Sequence, residues 1–243
     1  MKGKEKSADL GDALRAFVLC GGLGTRLRSV LSDRPKSMAL IGDAPFLQLL
    51  LQKLKGEGIR EVILGTGYRA DQIEDFFGTG EKVGIRLRYS REEEPLGTGG
   101  ALKLAEELLG DPVVVLNGDS YVEWNLAEME DIFRQKDADI VMVLQEVPDV
   151  SRYGSVALDP QERVAEFVEK GSRSGPGLIN AGIYLLRKEI VRDLAPDTVV
   201  SLERDVFPRF LGRKFYGAIS RGVFIDIGIP ADLERAQTVL RTL

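Results

Sequence analysis

Two periodicities alternate along the first 150 or so residues of this 243-residue chain. Ala16 to Cys20 (AFVLC) is a short unbroken apolar run of the kind that forms a strand buried on both faces. Pro45 to Lys55 (PFLQLLLQKLK) changes to helical spacing, with proline at its first turn and Gly56 and Gly58 behind it as stop signals. Glu61 to Leu64 predicts another strand, Asp71 to Phe77 a helix closed by Gly78, and Ile85 to Tyr89 an alternating strand. A helix is predicted over Ala101 to Leu109. Pro112 to Leu116 (PVVVL) is the most strand-like run of all. Asn125 to Lys136 reads as a helix with an Asn-x-x-Glu start at Asn125 and Glu128, and Asp139 to Gln145 as the strand after it.

Strands alternating with helices in this way predict an α/β fold, a Rossmann-like, mostly parallel sheet flanked by helices. From about Pro148 the helical alternation stops. Gly154 to Leu158, Arg163 to Val168 and Leu178 to Leu186 are shorter strand-like pieces, and they predict a second, smaller layer. Ser201 to Leu211 then reads as a helix capped by Ser201, Lys214 to Ile219 and Val223 to Ile227 as strands, and Pro230 opens a last helix. Residues 1–13 are polar and charged and are expected to form a disordered tail, with 14–243 as a single domain.

Composition narrows the chemistry. Hydrophobic residues make up 44% of the chain, enough for a sizeable core. A formal net charge of −5 speaks against a nucleic-acid-binding surface, so a local basic cluster is better read as a pocket for a small anion. The single cysteine forbids an internal disulfide, and neither a membrane-length apolar run nor a signal-peptide pattern is present, so a cytoplasmic protein without a membrane partner is expected. There is no histidine at all, which removes His-dependent triads, zinc-protease motifs and imidazole acid/base schemes. An enzyme built from this chain works with carboxylates, lysine and arginine, with or without a metal.

The first apolar run passes directly into Gly21-Gly22-Leu23-Gly24-Thr25-Arg26. Glycines let backbone N–H groups approach an anion closely, while Thr25 and Arg26 add a hydroxyl and a guanidinium; Arg28, Arg34 and Lys36 extend the positive charge. A dinucleotide fingerprint is excluded because Leu27 stands where its third glycine belongs, and a P-loop because no lysine follows these glycines in register. Asp119 follows the PVVVL run in Asn117-Gly118-Asp119, at the carboxyl end of a central strand. A carboxylate there is costly unless paired or bound to a metal, and magnesium, which takes one or two carboxylates plus substrate phosphates, suits it; a turn or helix cap is the plainer alternative. Asp226, inside the apolar run Ile225-Asp226-Ile227, is a candidate second ligand for the same ion.

The combination G-G-x-G-T-R-L followed by Pro35-Lys36 resembles the sugar-1-phosphate nucleotidyltransferases, the nucleotide-sugar pyrophosphorylases. Further segments keep the family's order: Glu92 to Gly100 (EEEPLGTGG), Asn117-Gly118-Asp119, Arg152-Tyr153-Gly154, Glu169-Lys170, Asn180 to Tyr184 (NAGIY) and Phe224 to Pro230 (FIDIGIP). The chain departs from the family at Cys20, at Arg28-Ser29-Val30 and at Ser37-Met38. L-R-S-V, E-P-L-G-T-G-G-A and F-I-D-I-G-I-P look most like the D-glycero-α-D-manno-heptose 1-phosphate guanylyltransferases of that family.

The resemblance implies a glycosyltransferase-A-like fold with a nucleotide-binding half at 14–150 and a sugar-binding half at 151–243. It implies nucleotide contacts from Gly21, Gly22, Gly24, Thr25, Glu92, Gly97 and Thr98, catalytic roles for Arg26, Lys36 and Asp119, and Mg2+ held by Asp119 and Asp226. It places Gly154, Glu169, Lys170 and Asn180 at the sugar 1-phosphate, with Glu169 binding sugar hydroxyls and Lys170 the sugar phosphate. Without it, Glu169-Lys170 reads as the solvated end of a strand. The implied reaction moves a nucleoside monophosphate from a nucleoside triphosphate to a sugar 1-phosphate and releases pyrophosphate. Glu92 favours GTP, because guanine offers N1–H and an N2 amino group side by side to a carboxylate. Heptose 1-phosphate is the expected sugar, with mannose 1-phosphate, a UTP- or dTTP-dependent relative, and a catalytically silent nucleotide-sugar sensor as alternatives. Assembly with further copies of the chain stays open.

Overall fold

The computed structural model describes residues 14–22, 24, 27, 31, 33–168 and 171–242. The strand β1 (Arg15–Leu19) leads through the glycine loop to a hairpin, β2 (Leu40–Ile41) and β3 (Ala44–Pro45), and then to α1 (Phe46–Gly56). β4 (Glu61–Thr66), α2 (Ala70–Phe77), β5 (Arg86–Arg91), α3 (Gly97–Leu104) and β6 (Val113–Asn117) complete the parallel part. After β7 (Ser120–Val122) and α4 (Leu126–Gln135) come β8 (Ile140–Val147), β9 (Ser155–Leu158), β10 (Val164–Val168) and β11 (Gly177–Leu186). The chain closes with α5 (Lys188–Arg192), β12 (Phe215–Ser220), β13 (Phe224–Asp226) and α6 (Pro230–Val239).

Strands β6, β1, β4 and β5 lie side by side and parallel, β1 being central. Alternate residues of β1 point to opposite faces: Ala16 and Val18 enter one buried cluster with α1, while Phe17 enters another with α3 and the segment after α5. Both faces are thus covered, which is why these strands read as unbroken apolar runs. Asn125 caps α4 as its motif predicts, its side chain accepting from Glu128 N.

Three expectations are corrected. The pieces after Pro148 are not a second layer: β11 pairs antiparallel with β6, β8 and β9, so they extend the same sheet as a mixed, antiparallel wing. Short polar-flanked strands look separate in sequence because an antiparallel wing has no helix between its strands. Ser201 to Leu211 is not an α-helix but a π turn over Leu202–Val206 followed by a 3-10 turn over Phe207–Phe210. Pro208 has no N–H to return to Arg204, so the α-helical ladder cannot run through it. Phe207 nevertheless anchors this segment, its ring 4.9 Å from Tyr184 and 5.4 Å from Phe215, each wholly buried. Burying a ring of this size contributes about 1.5–3 kcal/mol. Finally, α3 begins at Gly97 rather than Ala101. Its glycine start lets the chain at Val200 pack on it: Gly97 has φ 74°, and a Cβ there would lie 2.5 Å from Val200 O.

Candidate active site

At the carboxyl ends of the parallel strands a pocket of about 380 Å³ opens. Open α/β sheets bind ligands at this edge, because strand-end loops leave their backbone groups free there. The predicted residues Gly21, Gly22, Gly24, Lys36, Glu92, Gly97, Thr98 and Asp119 all line it. Five stretches of sequence up to 98 residues apart therefore meet in one cavity, as a nucleotide-sized ligand requires.

Lys36 sits in a short 3-10 turn, Lys36–Met38, after Pro35. Its ammonium donates to Asp119 Oδ2 at 2.7 Å and lies 3.7 Å from Asp226 Oδ1. The lysine side chain is only 12% exposed, so its charge is tolerable only with such partners. β13 pairs with β7, setting Asp226 opposite Ser120 and hence beside Asp119. Two strand-end acids predicted from separate motifs are thus brought together around one cation.

This donor set fits magnesium. It is made of carboxylate oxygens, and among the described residues no group of three or more acidic, Cys or His side chains converges, so most coordination positions would fall to phosphate and water. Asp119 and Asp226 are the residues that would hold the ion.

Glu92 follows β5. One carboxylate oxygen accepts from Leu96 N at 2.7 Å, closing the turn before α3, and the other faces the glycine loop so closely that a Cβ on Gly21 would lie 2.6 Å from it. Burial raises its pKa above the ordinary carboxylate value, opposed by the Leu96 N–H. Cys20, beneath the loop, is fully buried, and burial pushes its thiol up to about 12. It stays protonated and is no nucleophile.

Not every predicted residue faces the pocket. Thr98 does, yet its hydroxyl is engaged within the protein, donating to Glu203 and accepting from Leu202 N. Asn180 lies on β11 away from the lining, its amide donating to Tyr184 OH at 2.8 Å and its carbonyl accepting from Gly182 N at 2.9 Å. Gly154 lies beside it, Gly154 O accepting from Asn180 N. Thr25, Arg26, Glu169 and Lys170 fall outside the described residues.

Among the lining residues that sequence reasoning left unassigned are Ser37, Asn117, Gly118, Gly228 and Glu203. Asn117 and Gly118 stood beside a predicted residue and were within reach. Glu203 was hidden because Ser-x-Glu near a helix start looks like ordinary capping.

A family model described as nucleotidyl transferase matches residues 15–242. Two similar proteins are named D-glycero-α-D-manno-heptose 1-phosphate guanylyltransferase. The one from Aneurinibacillus thermoaerophilus is 43% identical over 94% of this chain and 99% of its own. The one from Campylobacter jejuni is 41% identical over 90% of this chain and 96% of its own. The crystal structure of HddC from Yersinia pseudotuberculosis complexed with GMP-PN superposes with a TM-score of 0.83 at 40% identity, covering 93% of this chain and 99% of that one.

Proposed function

The chain belongs to the nucleotidyl transferase family, and we propose that within it the protein transfers GMP from GTP to D-glycero-α-D-manno-heptose 1-phosphate, giving the nucleotide sugar and pyrophosphate. The observation that carries the reading is the convergence of Lys36, Asp119 and Asp226 beside the glycine loop, with Glu92 in the same pocket.

A sugar phosphate oxygen attacks the α-phosphorus of the triphosphate in line with the leaving pyrophosphate. One P–O bond forms, one breaks, and no proton need move, since the attacking phosphate is an anion at neutral pH. That agrees with a chain lacking histidine. The protein's task is positioning and charge neutralisation. Backbone N–H groups at Gly21, Gly22 and Gly24, together with Thr25 and Arg26, hold the β- and γ-phosphates. Lys36 supplies charge at the α-phosphate, and Asp119 and Asp226 hold a magnesium ion, which when bound offsets phosphate charge. Glu92 accepts from guanine N1–H and N2; Glu169 takes sugar hydroxyls and Lys170 the sugar phosphate, and Gly154 and Asn180 support that side through their backbone, the Asn180 amide being engaged by Tyr184 and Gly182.

A matrix of nucleoside triphosphates against sugar 1-phosphates, read by pyrophosphate release, tests this. GTP with the manno-heptose 1-phosphate is expected to react fastest. Faster release with UTP or dTTP would overturn the guanine assignment, and equal or better use of mannose 1-phosphate the heptose assignment.

A further inference from the structure

Glu203 is a third carboxylate on the pocket, outside the Lys36 group. Three hydroxyls converge on it: Thr98 Oγ1 and Ser201 Oγ each donate to Oε2 at 2.9 Å, and Tyr184 OH donates to Oε1 at 3.3 Å. A hydroxyl has one hydrogen, and what the oxygen accepts decides where that hydrogen turns. Each of the three oxygens already accepts from an N–H: Thr98 from Leu202 N at 2.8 Å, Ser201 from Arg204 N at 3.2 Å, and Tyr184 from Asn180 Nδ2 at 2.8 Å. Their hydrogens are therefore turned toward Glu203, which is held purely as an acceptor.

A carboxylate has about four acceptor directions. Among the described residues three are filled, and the open one is on Oε1, whose bond to Tyr184 is the longest of the set. The ligand that fits it is a donor. Phosphate oxygens of the nucleotide offer none at neutral pH, and guanine has Glu92 for its donor edge. A sugar brings several hydroxyls. The network also runs through Tyr184 to Asn180 on β11, in the half assigned above to the sugar.

We propose that Glu203 is a sugar-specificity residue, its Oε1 accepting a hydrogen bond from a hydroxyl of the sugar 1-phosphate and so helping to select the sugar's configuration. This rests on the nucleotidyl-transfer reading above. A purely structural role predicts something different: Glu203 also braces Thr98 at the start of α3, so loosening the brace would disturb nucleotide binding as well.

The test is a series of single-deoxy sugar 1-phosphates with the wild-type protein and Glu203→Gln, measured by pyrophosphate release with saturating GTP. A hydrogen bond to a charged acceptor predicts that one deoxy analogue loses about ten- to a hundredfold in kcat/KM with the wild type. Glu203→Gln should lose a similar factor with the parent sugar, distinguish that one analogue from the parent no longer, and keep the KM for GTP within about twofold. Glu203→Asp, which keeps the charge but shortens the reach, should also raise the KM for the sugar selectively. It carries the comparison should the Gln variant not fold. A flat deoxy series with an active wild type, or a KM for GTP that rises as much as that for the sugar, would overturn the inference alone. A wild type that releases no pyrophosphate from any pair would overturn the nucleotidyl reading and this with it.

Discussion

Two acidic groups reach one pocket, through Asp119 and through Glu203, and are held in opposite ways. Asp119 and Asp226 share the ammonium of Lys36, whereas Glu203 is surrounded by the hydroxyls of Thr98, Ser201 and Tyr184. The first arrangement stands on the parallel sheet's carboxyl edge and balances charge against charge. The second lies where the β11 wing meets α3 and balances charge against dipoles. A charge-balanced cluster suits a place where phosphate charge shifts during reaction, because removing one member leaves the others uncompensated. A hydroxyl-held acid suits recognition, because its acceptor directions are fixed without a competing cation. The two walls should therefore fail differently.

The largest failure is expected at Lys36. Lys36→Ala should lower turnover by roughly a hundredfold or more, the usual consequence of removing one preorganised charge from a transition state. An unchanged circular-dichroism spectrum with turnover near that of the wild type would remove Lys36 from its role. The comparison sharpens in double variants. Lys36→Ala combined with Asp119→Asn should cost far less than the product of the single losses, because the two act as a unit, while Lys36→Ala with Glu203→Gln should be close to multiplicative.

Next in size are the acids themselves. Asp119→Asn and Asp226→Asn should each reduce turnover by about a hundredfold and weaken the divalent-ion dependence read in a magnesium titration. Turnover in excess chelator comparable with that in magnesium would sink the metal assignment for both.

These two walls were unequally legible in the sequence. The parallel part announces itself because strands covered on both faces must be apolar throughout, so PVVVL and AFVLC locate the central strands, and the loops after them locate Asp119 and the glycines. Lys36 and Asp226 followed from the resemblance and from an acid in an apolar run. The wing is less readable: β11 shifts register between Asn180 and Tyr184, and its neighbours are short. Glu203 depends on a π turn that Pro208 cuts off, and on hydroxyls up to 105 residues away, which no local pattern displays.

A stability prediction probes the seam between the walls. Gly97→Ala places a Cβ at φ 74° and 2.5 Å from Val200 O, where backbone must give way. It should lower unfolding free energy by about 1–3 kcal/mol, measured by denaturant titration. Gly22→Ala, with nothing within 4 Å of the added Cβ and φ outside the left-handed region, should cost little in the same measurement. An equal loss at both positions would show that crowding at the seam is not what Gly97 avoids.

The smallest expected effect concerns Glu92, which belongs to neither wall's balance: among the described residues no cation pairs with it, and its carboxylate accepts from Leu96 N. Burial raises its pKa in the folded protein above the unfolded value. The folded state therefore binds more protons than the unfolded state between the two pKa values, and stability falls as pH rises through that window, which begins at the ordinary carboxylate value and extends above it. Glu92→Gln removes the titration, so its stability relative to the wild type should improve as pH rises across the same window, by a modest amount because the group is only half-buried. Function should move the other way. Accepting from guanine N1–H and N2 requires the ionised form, so the KM for GTP in the wild type should fall with rising pH over the window, while Glu92→Gln shows a higher KM without that trend. Denaturant titrations and initial rates at a series of pH values read both signs. A wild-type KM for GTP that is flat across the window, or a Glu92→Gln variant whose stability tracks the wild type at every pH, would detach Glu92 from the base and leave it as the closure of the turn before α3.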